Sequence, residues 1–207
     1  MLKRETPFQK IAFPLLLGIL LMIAFSNRIT HPVTAATYNR ANAVSYADQW
    51  AKARNSTYPN FDPNDCTNFA SQVMSAGGLP MISLQSEARD WFINTSSSNV
   101  RSKSWAAADW LNTHFSQWQG GRYQTTNAAS NLQGGDIMIL QWSNSPVPSH
   151  ARVMMGYGPS LERIYDTTPP IGTYGTLANQ HSNDRKRVLW YDGISSTDLR
   201  WYWQIIL

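Results

Sequence analysis

At 207 residues the chain has room for one domain behind a leader, so no second catalytic module is expected. Its formal charge of +4 sits mostly at the start: without residues 1–35, which hold Lys3, Arg4, Lys10, Arg28 and Glu5, it falls to +1. Nucleic acid is therefore not expected as a partner, because its recognition needs basic residues gathered on one face and Arg185-Lys186-Arg187 is too short a cluster.

Three cations in the first ten residues precede an uncharged run over 11–25 that contains Pro14 and Gly18. Such a run is shorter than the roughly 20 residues that span a bilayer core, and basic-then-apolar order is the pattern of a secretory signal peptide. Small residues at Ala35 and Ala36 offer cleavage points, while the distance from Phe25 leaves an uncleaved N-terminal membrane anchor as the alternative. Both place the domain outside the cytoplasm, secreted or at the outer face of the membrane or wall. Any membrane contact then runs through that segment alone, and a monomer is expected.

The span 38–54 predicts a helix, with Val44, Ala47, Trp50 and Ala51 recurring three and four residues apart. A loop over 55–64 carries Pro59 and Pro63 among Asn and Asp residues. Asn64 or Asp65 is placed to cap a second helix over 66–76, stopped by Gly77-Gly78. A third helix is expected over 104–115, with Trp105, Ala108, Leu111 and Phe115 on one stripe and Ser102 or Ser104 as cap. Beyond Gly120-Gly121 the pattern changes to short runs of branched and aromatic residues at 137–142, 151–157, 161–166, 175–181, 187–191 and 201–207. Helices first and strands after predict an α+β fold, N-terminal helices packed on one face of an antiparallel β-sheet.

Chemistry centres on the single cysteine, Cys66. An exported chain with one cysteine forms no internal disulfide, and the residue is either a reactive thiol or a small buried hydrophobe. Its place in the first turn of a helix favours the thiolate, since free amides and the helix dipole stabilise negative charge there. The Cys66 amide is then expected to face an oxyanion, with the Asp65 carboxylate turned back to the helix amides or to a cation elsewhere.

A cysteine nucleophile needs a base, and beyond residue 35 the histidines are His114, His150 and His181. His114 lies inside a helical stretch and reads as a packing or surface residue. His150 follows a Pro-rich turn and opens a strand, where a rigid element holds an imidazole at the sheet's rim. His181, Asp184, Asn183 or Gln180 is positioned to orient it. Asp184 reads equally as a turn residue paired with Arg185 or Arg187. Asp136, after Gly134-Gly135, reads as a turn residue entering a strand.

The stretches DCTNFASQVMSAGG (65–78), GGDIMILQW (134–142), SHARVMMGYG (149–158) and LANQHSNDRKRVLW (177–190), preceded by YNRANAVSYADQWAKARN (38–55), resemble the amidase-domain family of secreted bacterial proteins. That family is grouped with papain-like, CHAP-type cysteine hydrolases of the cell wall, and the likeness covers residues 38–207. The resemblance implies Cys66 as nucleophile, His150 as base and His181 as third polar residue, with no cofactor and no metal. It implies peptidoglycan or a peptide as substrate. In place of the Ser that often follows the base in such domains stands Ala151, and no upstream Gln is assignable to an oxyanion hole.

Two other readings compete. A metal site built from Cys66, His150, His181 and Asp184 lacks the close ligand pairs by which zinc sites announce themselves. A non-catalytic wall-binding or interaction module would use aromatic residues as stacking platforms, although most of them recur on core-facing stripes.

Overall fold

The computed structural model describes residues 37–97, 100–165 and 169–207. The expected leader lies outside them, and among the described residues no helix is long and apolar enough to cross a membrane. Helix α1 spans Arg40–Trp50, opened by Asn39, whose side chain accepts from the Asn42 amide at 3.0 Å. Its small residues Ala43 and Ala47 are buried, which lets the helix axis lie close to its neighbours. Helix α2 spans Cys66–Ala76, coinciding with the expected span, and its first nine residues are all buried. Its buried polar residues Asn68, Ser71 and Gln72 are satisfied by hydrogen bonds to Trp105, Trp91 and Tyr46, which lets the helix lie in the interior. Phe69, Val73 and Met74 accordingly lie in the main core.

The third expected helix is two: α3 at Lys103–Ala106 and α4 at Ala108–Gln117, broken by an extended Ala107 with φ −126° and ψ 130°. The break serves two packing partners at once. Trp105 of α3 stacks on Trp91 at 5.1 Å and donates to Asn68 Oδ1, while Phe115 of α4 packs against Tyr123 and Trp203.

Among the described residues six antiparallel strands follow: β1 Tyr123–Thr126, β2 Ile137–Gln141, β3 His150–Pro159, β4 Tyr174–Gln180, β5 Arg185–Leu189 and β6 Leu199–Ile205. They form one sheet in the order β1-β6-β2-β3-β4-β5. The fold is α+β, as the order of helical and strand patterns predicts. Strand β1 carries no apolar alternation, since only Tyr123 of its four residues is buried. The strand expected at 161–166 does not form over 161–165, and Asp166 lies outside the described residues. Leu161 and Tyr165 there are exposed, so no second strand covers them.

Alternation divides the sheet residues between two cores. Ile137, Ile139, Ala151, Val153 and Leu177 face the helices. Met138, Leu140, Met154 and Ala178 point the other way, under Ala129, Leu132, Trp142 and Trp190. Both faces of the central strands are therefore dry. At the β2 entry Gly135, at φ 87°, brings its carbonyl to the Tyr38 hydroxyl at 2.9 Å. Asp136 beside it is fully buried and accepts from Arg40, Gln133 N and Ile205 N, which ties α1 to the sheet.

Candidate functional site

A cleft of about 510 Å³ opens at the end of the sheet where β3 begins and β4 ends. Cys66, the first residue of α2, and His150, the first residue of β3, both line it. Cys66 is only 6 % exposed, so the thiol is reached from this cleft and not from the open surface.

His150 Nε2 lies 3.2 Å from Gln180 Oε1. The amide of Gln180 is oriented by its own nitrogen, which donates to the Asn183 carbonyl at 3.0 Å. An amide oxygen only accepts, so Nε2 carries the hydrogen and Nδ1 is left as the acceptor. Burial, followed by the Arg152 charge, pushes His150 down to about 3, against a small opposing effect of Gln180. The ring is therefore a neutral imidazole at neutral pH. Trp142 packs against it with centroids 5.7 Å apart.

His181 does not join this pair. Strand residues alternate faces, so Gln180 shares the side of His150 while its neighbour His181 points to the helices. There His181 is stacked on Phe69 at 4.0 Å. Its Nδ1 meets Asp65 Oδ2 at 2.6 Å and its Nε2 meets the Trp50 carbonyl at 2.8 Å. Both nitrogens face acceptors, and neither reaches His150.

The remaining candidates are placed by the turn that joins β4 to β5. Ser182 and Asn183 sit at φ 59° and 75°, the left-handed pair of a type I′ hairpin. Asn183 contributes its backbone carbonyl to Gln180. Asp184 turns away to a two-pronged ion pair with Arg54, Nη1 to Oδ2 and Nη2 to Oδ1 both at 2.9 Å, instead of pairing with Arg185 or Arg187. Arg187 pairs with Asp48. Cys66, His150, His181 and Asp184 thus do not converge, and among the described residues no three His, Cys, Asp or Glu gather as a ligand set.

At the helix start the capping side chain and the free Cys66 amide are not found, whereas the alternative of an Asp65 carboxylate turned to a cation is met by Arg54. Asp65 makes no side-chain cap to the α2 amides. Its fully buried carboxylate instead accepts from Phe61 N, Asn68 Nδ2 and His181, with Arg54 Nε at 3.4 Å. The amides of Asp65 and Cys66 are taken by a residue distant in sequence, Ser182, whose Oγ accepts them at 2.9 and 3.2 Å. With both lone pairs used, its hydroxyl hydrogen is the donor left over at this wall of the cleft. No sequence signal marks Ser182, since it is brought here by the hairpin.

His114 is fully buried, with Nδ1 on the Arg89 carbonyl and Nε2 on the Tyr123 hydroxyl. Burial pushes it down to about 4, and it is a packing residue. Arg152 also lines the cleft and was not among the expected residues. Its signal is a charged residue two positions from His150 inside an otherwise apolar strand.

With this geometry in place, the likeness to known proteins carries weight. The chain belongs to the family described as "Putative amidase domain", whose model matches residues 37–205. Membership points to a hydrolase acting on amide bonds in general. The chain is 32 % identical over 122 residues to the uncharacterized protein YhbB of Bacillus subtilis (strain 168), covering 58 % of this chain and 38 % of that protein. It is 27 % identical over 123 residues to the uncharacterized protein YjcM of the same strain, covering 58 % of this chain and 27 % of that one. The match thus spans well under half of each relative. No solved structure matches the amidase domain.

Proposed function

We propose that this amidase domain is a papain-like cysteine hydrolase acting outside the cytoplasm on amide bonds of peptidoglycan stem peptides. The observation that carries the reading is that Cys66, at a helix start, and His150, at a strand start, line one cleft, with Gln180 holding His150 in the tautomer that leaves Nδ1 free to accept. In this scheme Cys66 Sγ attacks the amide carbon and its proton passes to His150 Nδ1. The imidazolium returns that proton to the departing amine, and water then cleaves the thioester to a carboxylic acid. The Ser182 hydroxyl, polarised by the two helix amides it accepts, donates to the oxyanion in place of the Cys66 amide. Gln180 takes the orienting part expected of His181, while His181 holds Asp65 beneath the helix start. Export rests on the basic-then-apolar start of the chain, and peptidoglycan on the family likeness.

The test is incubation of the folded domain with purified peptidoglycan, the released fragments being read by mass. New amine and carboxyl ends are expected with the native chain and none with Cys66→Ala. Release that survives Cys66→Ala overturns the cysteine mechanism, and binding without release by both proteins leaves a binding module.

A further inference from the structure

His150 and Arg152 are two apart on β3, so both side chains leave the sheet on the face away from the helices, and both line the cleft with Cys66. Arg152 is 1 % exposed. Its Nη1 donates to the Trp190 carbonyl at 2.7 Å. Its Nε is buried with no partner, and among the described residues no carboxylate stands within ion-pair distance of the guanidinium. The nearest acidic influence is Asp192, whose Oδ2 accepts from Ile164 N at 2.5 Å and whose Oδ1 is buried without a hydrogen-bond partner, so it acts on Arg152 as a charge and not as an ion pair.

A buried guanidinium without a carboxylate in ion-pair contact is costly, because a more distant opposite charge repays only part of the desolvation of the cation. Burial accordingly pushes Arg152 down to about 10, against the opposing charges of Asp192 and then Tyr165. Arginine is suited to planar, two-pronged recognition of carboxylates, and one carbonyl bond leaves most of its donors unspent. The same charge disfavours protonation of His150, so an anion seated on Arg152 would also ease the proton transfer.

We infer that Arg152 is a substrate anchor, and that the amide cleaved in this cleft belongs to a molecule bearing a carboxylate close to the scissile bond. The inference rests on the proposed Cys66 chemistry and adds the charge of the substrate to it. A C-terminal α-carboxylate and an acidic side chain present the same group, and the experiment separates them.

Cys66 is the chain's single cysteine, so alkylation followed by whole-protein mass reports this site alone. Iodoacetate carries a carboxylate and iodoacetamide is its neutral counterpart. In the native protein iodoacetate should react with saturation and about tenfold faster than iodoacetamide, the order expected of a charge-assisted contact. Arg152→Met, which keeps the stem and removes the charge, should lower that rate ratio to one or below, and Arg152→Lys should restore part of it. The ratio cancels any change in thiolate content. Protection of Cys66 from iodoacetamide by N-acetylalanine signals an α-carboxylate site, and protection by the α-amide of N-acetylglutamate a side-chain site. Equal or slower reaction with iodoacetate in the native protein, without protection by either compound, overturns the inference even if Arg152→Met does not fold. If neither reagent modifies folded Cys66, the nucleophile reading itself fails.

Discussion

Replacing Gln180 with alanine removes the one side-chain hydrogen bond that the His150 ring makes among the described residues, the 3.2 Å contact to Nε2. The bond sits in a buried site where the imidazole is neutral, so its loss costs the net value of a neutral hydrogen bond, about 0.5–1.5 kcal/mol. That corresponds to a population of the correct tautomer lower by about two- to twelvefold, since 1.4 kcal/mol is a factor of ten. Trp142 still packs on the ring and limits its rotation. The expected outcome is a modest fall, whereas His150→Ala removes the base and should cost at least about a hundredfold. The assay is the rate of Cys66 alkylation by iodoacetamide against pH, in variants shown by circular dichroism to be folded. Gln180→Glu sharpens it. A carboxylate beside the imidazole stabilises its protonated form, so the acid limb of the profile should move up in pH. A structural role alone would not move that limb. If Gln180→Ala keeps the native rate while His181→Ala falls as far as His150→Ala, the orienting residue is His181 and the reasoning from strand alternation is wrong.

Two further outcomes follow from buried groups. His150 and His114 lie near 3 and 4 when folded, against 6.5 for the free side chain, so below pH 6.5 the unfolded chain takes up protons that the folded chain refuses. Stability should therefore fall with pH, by about 3 kcal/mol between pH 6.5 and 5 for the two together, and urea midpoints that stay level over that range would contradict it. Asp65→Ala should cost about 3–5 kcal/mol in chemical unfolding, because it leaves the amide of Phe61 and the ring of His181 without their acceptor; a loss below about 1 kcal/mol would show that neighbouring groups replace it.

Much of the architecture was legible because periodicity is a local property. The Gly77-Gly78 stop ends α2 where it was expected, and β2 to β6 follow runs of branched and aromatic residues. Strand β1 was hidden because its Gln and Thr residues are held by β6 alone, without an apolar face of their own. The helix over 104–115 was read as one because its stripe is continuous in sequence, while the two halves answer to different partners.

At the site, the sequence by itself determined which groups have the chemistry: one thiol at a helix start, and a histidine at the start of a strand. Only the tertiary structure decided which groups meet them. A single residue of alternation separates Gln180, which reaches His150, from His181, which is spent on Asp65 beneath the helix. Ser182 comes 116 positions along the chain to the Cys66 amide because a left-handed turn aims it there. Asp65, Arg54 and Asp184 find one another across the same hairpin. Hydrogen bonds of this kind depend on the register of strands and the angle of a turn, which no local spacing encodes.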